Sequence, residues 1–260
     1  IYLHGSNVSS IGGTIEIDGT DSSGITAVDA PLVNTTVINS AASGSKGIIS
    51  KLENINTSQV INNVDITLLG DKSIGIYADS LDKNGIMLGN INIENNAEIK
   101  LGNGADIKES PVGMYGTKGV TLNNKNKISG GDKVVGMFSA DGEVNNSGII
   151  ELGNSSVGIY QAGGKAVIEN TAGIKVGSNE AIAIYMSKGA YVENKSSNIL
   201  TGTDSIIAYV EGQGTKLLNS GNLDINTEGV AFYIKEGEIE NHGDLRALGD
   251  GIIGFYGKNA

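Results

Sequence analysis

A short phrase of the form hydrophobic–small–hydrophobic–aromatic recurs about every 24 residues along nearly the whole sequence. The clear copies end on an aromatic residue, at Tyr77, Tyr115, Phe138, Tyr160, Tyr185, Tyr209, Tyr233 and Tyr256. Weaker copies end at Tyr2, Thr26 and Ile49, and the steps between the eleven anchors are 24, 23, 28, 38, 23, 22, 25, 24, 24 and 23 residues. A fixed period of this size predicts a stacked-repeat architecture. The period therefore limits the possible folds more than the composition does.

Each repeat contains three short strand signals separated by turn residues. In residues 157–183 the segments Val157–Tyr160, Ala166–Asn170 and Ile174–Val176 are rich in β-branched residues, and clusters of Gly, Ser, Thr and Asn lie between them. Three strands and three turns in about 24 residues predict one coil of a parallel β-helix. We therefore expect an all-β, right-handed, three-sided parallel β-helix (a solenoid) of about 10–11 coils, forming a rod about 50 Å long.

Alternation along the first strand of each coil predicts which side chains face the core. Counting from the aromatic residue as position 0, positions −3 and −1 carry large apolar residues, and position −2 is usually small. Because side chains alternate across a strand, we expect positions −3 and −1 to point inward and the aromatic column to point outward. The rings then either stack on each other and stiffen the sheet, or form a contact surface for a partner. Tyr191 lies outside this column.

A second column is formed by asparagine. In most coils an Asn is followed four residues later by Ile or Leu, as in Asn34–Ile38, Asn62–Ile66, Asn95–Ile99, Asn124–Ile128, Asn145–Ile149, Asn170–Ile174, Asn219–Leu223 and Asn241–Leu245. A buried amide is costly unless it is hydrogen-bonded, and stacked amides satisfy each other. We expect these residues to form an inward-facing asparagine ladder.

The repeat is broken most strongly between Tyr77 and Tyr115, where the step is 38 residues. The extra length predicts two loop insertions in one coil, one within residues 78–90 and one within residues 102–111. The first contains Asp82 and Lys83, and the second contains Lys108 and Glu109. Insertions in solenoids often lie on a binding face, although neutral variation in loop length is an equal explanation.

Composition limits the class of partner. The net charge of −11 argues against nucleic acid and anionic lipid, which need a basic surface, and an acidic surface also keeps a long rod soluble. The chain has no Cys, and no apolar run reaches the length of a membrane-spanning helix. It begins and ends within the repeat, so we expect residues 1–260 to be a single segment of a longer array.

Residues for catalysis do not converge. His4 and His242 lie about ten coils apart, so neither a zinc site nor a histidine-assisted nucleophile is expected. Polysaccharide-degrading β-helix enzymes need acidic residues, or a basic cluster, on one sheet face. Here the acidic residues do not recur at a shared strand position. We predict a chain with no catalytic residues, no metal site and no cofactor.

The phrases Gly-Ile-Tyr and Gly-Met-Tyr, interleaved with Ile-Glu-Asn at 93–95, 168–170 and 239–241, resemble the passenger repeats of large bacterial type V autotransporters. The similarity is greatest to the very large fusobacterial outer-membrane adhesins of the RadD-like group. It covers almost the whole chain and is best from about residue 60 onward. The resemblance implies display on the cell surface, through an outer-membrane barrel that this sequence does not contain, and adhesion to host cells or other bacteria.

The sequence thus predicts a surface-displayed adhesin segment that binds a host-cell or bacterial surface protein or glycan. The alternatives are a polysaccharide-degrading lyase or glycosidase and a purely structural stalk. The candidate partner-binding residues are Tyr77, Tyr115, Tyr160, Tyr185, Tyr191, Tyr209, Tyr233, Asp82, Lys83, Lys108 and Glu109.

Overall fold

The computed structural model describes residues 1–5, 8–54, 57–106 and 109–258, with the side chains of 8–11 left out. The described residues form 29 β-strands and no α-helix, and every pairing between strands is parallel apart from one isolated antiparallel bridge. The strands stack as successive coils of about 24 residues in a β-helix of about ten turns. This confirms the predicted parallel β-helix.

Three faces run along the rod, and we name each by its chemistry or position. The aromatic face consists of β1 (Tyr2–His4), β3 (Ser23–Val28), β5 (Lys46–Lys51), β8 (Ile74–Asp79), β11 (Val112–Gly116), β14 (Val135–Ala140), β17 (Val157–Ala162), β20 (Ile182–Ser187), β23 (Ile206–Glu211), β26 (Val230–Lys235) and β29 (Ile253–Lys258). The asparagine face consists of β6 (Thr57–Asn62), β9 (Asn90–Asn95), β12 (Val120–Asn124), β15 (Glu143–Asn146), β18 (Lys165–Ile168), β21 (Tyr191–Asn194), β24 (Lys216–Asn219) and β27 (Glu238–Asn241).

The third face consists of β7 (Ile66–Leu68), β10 (Ile99–Leu101), β13 (Lys127–Gly130), β16 (Ile149–Leu152), β19 (Gly173–Lys175), β22 (Ile199–Leu200), β25 (Leu223–Ile225) and β28 (Leu245–Ala247). Two longer strands, β2 (Val8–Ile17) and β4 (Leu32–Ser40), run across both the asparagine face and the third face. The first part of β4 pairs with β6 and its last part pairs with β7, so the two faces join through this strand.

The register confirms the repeat period residue by residue. All eleven anchors lie in one column, from Tyr2 opposite Thr26 to Tyr233 opposite Tyr256. The 38-residue step is absorbed outside the strands, because Tyr77 still pairs directly with Tyr115. The insertions therefore lengthen the connections of one coil and leave the stacking of its strands unchanged.

The inward columns differ from the prediction at one position. Position −1 is buried as expected in all clear copies but the last, where Phe255 is exposed, and Ile76, Met114 and Met137 are fully inaccessible. The prediction for position −3 was wrong: its side chains are half-buried in all clear copies but the last, where Ile253 is exposed. Position −2 points inward instead, and a Cβ added to Gly75 would lie 2.6 Å from Cγ2 of Ile99 on the third face. Two consecutive residues thus face the core where the strand leaves the corner, which simple alternation does not anticipate.

The asparagine ladder is present, with two changes of membership. Side-chain amides donate to the next coil along Asn34, Asn62, Asn95, Asn124 and Asn146, and again along Asn194, Asn219 and Asn241, over 2.6–3.0 Å. The predicted members Asn145 and Asn170 were wrong. Asn146 occupies the inward position, and Ile168 stands in the ladder where the next Asn is expected. Asn170 is exposed to solvent, so the spacing Asn–x–x–x–Ile did not identify the inward residue.

Candidate functional site

The outer side of the aromatic face carries three parallel columns, which together we call the aromatic strip. The central column contains the eight rings Tyr77, Tyr115, Phe138, Tyr160, Tyr185, Tyr209, Tyr233 and Tyr256. One flank, at position −3, is aliphatic and contains Ile74, Val112, Val135, Val157, Ile182, Ile206, Val230 and Ile253. The other flank, at position +2, contains Asp79, Thr117, Ala140, Ala162, Ser187, Glu211, Lys235 and Lys258. Among these, Thr117, Ala162 and Ser187 are buried.

The rings form two stacks separated by one turned ring. Tyr77, Tyr115 and Phe138 stack with centroids 5.1 and 4.9 Å apart, and the four rings from Tyr185 to Tyr256 stack with centroids 4.6–5.0 Å apart. Tyr160 lies between the stacks at 75° to Phe138 and 61° to Tyr185. Offset-stacked and edge-to-face pairs both stabilise aromatic contacts, so the column stiffens the sheet along its length. This supports the first of the two roles predicted for the rings.

Charge is confined to the two ends of the strip. Near one end, the hydroxyl of Tyr77 donates to Asp79 over 3.2 Å. Near the other end, Lys235 pairs with Glu211 over 2.7 Å, and the Tyr185 hydroxyl donates to the same carboxylate. Between these ends position +2 holds Thr117, Ala140, Ala162 and Ser187, so the central part of the strip carries no charge.

The hydroxyls of Tyr77 and Tyr185 are held in their neutral form. Burial raises the pKa of Tyr77 and of Tyr185, and the neighbouring carboxylates Asp79 and Glu211 raise them further. Conversely, the hydrogen bond from Lys235 holds the pKa of Glu211 below its usual value, and the bond from Tyr185 adds to this effect. The hydroxyls therefore act as hydrogen-bond donors at neutral pH.

A groove lies at the corner between the aromatic face and the asparagine face, where the first insertion projects. Its volume is about 540 Å³. One wall is the insertion itself, which contributes Met87. The other wall is formed by polar side chains of successive coils, among them Asn92, Thr121, Glu143 and Lys165. We call this feature the corner groove.

The first insertion is a compact hairpin. Leu81 and Met87 form the isolated antiparallel bridge, and the Asp82 carboxylate accepts hydrogen bonds from the N–H groups of Asn84 and Ile86 over 2.8 Å each. Those backbone bonds hold the pKa of Asp82 below its usual value. The sequence proposed Asp82 as a contact for a partner, but the structure uses its carboxylate to close the hairpin.

The other predicted contact residues are placed as follows. Lys83 is exposed at the hairpin. Glu109, in the second insertion, forms an ion pair with Lys72 of the preceding coil over 2.6 Å, and its backbone carbonyl accepts from Lys72 N–H. Lys108 lies outside the described residues. Tyr191 lies on the asparagine face, away from the aromatic column, as the sequence indicated.

Sequence reasoning missed the groove residues. Lys118 and Asp141 come from two successive corner turns and form an ion pair of 3.2 Å at its rim, although they are 23 positions apart in the sequence. Lys118 and Asp141 are close because successive turns stack on each other. The aromatic phrase aligns the strands but does not show which residues of two turns of variable length lie side by side. The available signal was the 38-residue step, which marked the insertion that makes one wall.

Across residues 1–5, 8–54, 57–106 and 109–258, no group of three or more His, Asp or Glu side chains is placed to hold a metal ion. No helix in this part of the chain is long and apolar enough to cross a membrane. Comparison with family models, curated proteins and solved structures finds no match to this chain.

Proposed function

We propose that this chain is a segment of a surface-displayed bacterial adhesin, in the manner of an autotransporter passenger, which attaches to host cells or other bacteria without catalysis. The observation that carries the proposal is the aromatic strip, an outward-facing band of rings and aliphatic side chains with no charge in its centre. Large exposed apolar patches on soluble proteins usually mark interaction sites. The resemblance of the repeat phrases to fusobacterial adhesins supports the assignment to the cell surface.

The dimensions of the strip fit a weak contact repeated many times. Seven coil spacings of about 4.8 Å give a length of about 34 Å, and five residues at about 3.3 Å give a width of about 17 Å. The area of about 600 Å² is below the roughly 800 Å² that each partner contributes to a standard stable interface. A rod displayed in many copies compensates through avidity, which suits attachment between cells.

The test separates the contact role of the strip from its structural role. Ala140 is half-buried at the centre of the neutral flank, so Ala140→Lys adds a charge to the strip and leaves every ring in place. An unpaired charge in a contact must be desolvated, so we expect cell binding by the purified segment to fall at least about tenfold. Leu200→Lys is the matched control, because Leu200 is 45% exposed on the third face.

A second pair of variants removes rings. Tyr160→Ser with Tyr209→Ser is compared with Ile149→Ser and Leu200→Ser, which remove two exposed apolar side chains from the third face. Binding is measured on a panel of bacterial and host cells, and melting temperatures are recorded in parallel. Unchanged binding by both Ala140→Lys and the double tyrosine variant would refute the strip as the contact surface. A protein that binds no cell in the panel is better described as a structural stalk.

A further inference from the structure

We propose that the corner groove binds a neutral oligosaccharide, with Tyr191 as the aromatic platform at one end. This inference rests on the proposed function, because it gives the chemical class of one receptor for the adhesin. It concerns a different surface from the aromatic strip, so the two are tested separately.

The length of the groove follows from the strand register. Asn92, Thr121, Glu143, Lys165 and Tyr191 are direct neighbours in one outward column of the asparagine face. Four spacings of about 4.8 Å make this column about 19 Å long. A linear ligand that lies along the rod axis therefore meets one new side chain per coil, which suits a chain of repeating units such as an oligosaccharide.

The chemistry of the column suits hydroxyl groups. Asn92 offers its amide donors, since its Oδ1 already accepts from Asn123 over 2.7 Å. Thr121 offers both a donor and an acceptor, Glu143 offers acceptors and Lys165 offers donors. Sugar hydroxyls act in both ways, so each can find a partner along this wall. On the opposite wall the side chain of Met87 is 44% exposed and supplies an apolar surface for the C–H groups of a sugar ring.

The charges of the groove balance. Lys118 and Lys165 contribute two positive charges, and Asp141 and Glu143 contribute two negative ones. Lys118 and Asp141 neutralise each other in their ion pair, whereas Glu143 and Lys165 form no ion pair within the described part of the chain. A net charge of zero favours an uncharged ligand over a sialylated or sulfated one.

Tyr191 differs from the tyrosines of the strip. Its ring makes no stacking contact with another ring among the described residues, so its faces are not covered by aromatic neighbours. Its backbone N–H donates to the carbonyl of Gly164, a residue of the groove, over 2.9 Å. Tyr191 does not line the groove but follows Lys165 in the outward column, so its ring lies one coil beyond the last lining residue, where the end of a sugar chain can stack on it.

The experiment uses the whole chain and a glycan array that contains neutral glucans, galactans, mannans and N-acetylhexosamine oligomers together with sialylated and sulfated counterparts. The best ligand is then titrated by calorimetry. We expect a neutral oligosaccharide of at least about four units to bind, and Tyr191→Ala and Met87→Ala each to weaken binding at least about tenfold. Leu200→Ala is the control on the third face, outside both the groove and the strip, and should leave glycan affinity unchanged.

The outcomes distinguish the two proposals. The groove proposal would be overturned if no glycan binds, or if charged glycans bind better than neutral ones. It would also be overturned if the Tyr191→Ala and Met87→Ala variants bind the glycan as tightly as the unchanged chain. Loss of cell binding in Ala140→Lys, together with no glycan binding by the unchanged chain, leaves the adhesin proposal intact while the groove proposal fails. If the groove binds glycan but the chain binds no cell in the panel, the groove proposal stands and the adhesin proposal fails.

Discussion

The asparagine ladder allows a sharp test of how the rod is stabilised, through the variant Asn124→Ala. The Asn124 side chain is fully buried and makes three hydrogen bonds. It donates to Asn146 over 2.9 Å and to the Asn126 carbonyl over 2.9 Å, and it accepts from Asn95 over 3.0 Å. At about 1 kcal/mol for each bond, truncation should cost about 3 kcal/mol of unfolding free energy.

The matched control is Asn170→Ala. Asn170 has the same sequence spacing to a following isoleucine as Asn124, but its side chain is exposed and lies outside the ladder. A surface substitution of this kind changes stability by less than about 0.5 kcal/mol. Both residues fit the same sequence pattern, but only Asn124 lies in the ladder. A difference in stability between the two variants therefore reports the contribution of the ladder itself.

Stability is measured by denaturant unfolding followed by circular dichroism, with hydrogen exchange to locate the effect. A loss of about 3 kcal/mol corresponds to a fall in melting temperature of about 6–12 °C for a chain of this size. Because each coil contacts mainly its neighbours, amide protection should fall most in the coils around residues 95–146. Equal destabilisation by Asn124→Ala and Asn170→Ala would refute this account of the ladder.

Three further predictions follow from the packing and the charges. Gly136→Ala should destabilise by about 1–3 kcal/mol in denaturant unfolding, since the added Cβ would lie 2.5 Å from the Gly158 carbonyl oxygen and 2.7 Å from Cγ2 of Ile150; a neutral effect would show that the coil can shift. The depressed pKa of Glu211 stabilises the fold above the unfolded value of about 4.3, and this contribution is lost as the pH falls through the folded value. The melting temperatures of the protein and of Glu211→Gln should therefore differ at about pH 7 and converge in acid, and a constant difference would contradict the assignment. The raised pKa values of Tyr77 and Tyr185 stabilise the fold below about pH 10, and this contribution is lost as the pH rises toward the folded values. Ultraviolet titration should show these tyrosines ionising above pH 10 while circular dichroism shows that the sheet is intact. A single midpoint near pH 10 for all tyrosines of the folded protein would contradict this prediction.

The long-range order of the fold was predictable because it depends on the period alone. All eleven anchors fall into one column, including Thr26 and Ile49, which are not aromatic. The local orientation of side chains was less predictable. Gly75 and Ile76 both face the core because the strand leaves a corner of the coil there. The rule that successive side chains alternate between inside and outside does not hold at such a corner.

The ladder shows how one residue of register alters a prediction. Asn145 and Asn146 are adjacent in the sequence, and only the stacking of β12 on β15 selects Asn146 for the inward position. The outward Asn145 instead donates to Asn123 over 3.0 Å in a short second row of amides. The corner groove was beyond prediction for a similar reason, since its walls come from coils whose turns differ in length.

One coil interrupts both the outward aromatic column and the buried asparagine ladder. Tyr160 turns its ring out of the aromatic stack, and a few residues later Ile168 replaces an amide in the ladder. On either side of this coil the rings and amides are continuous. Under mechanical load we expect the rod to yield first at this coil, with the two flanking blocks unravelling as separate units.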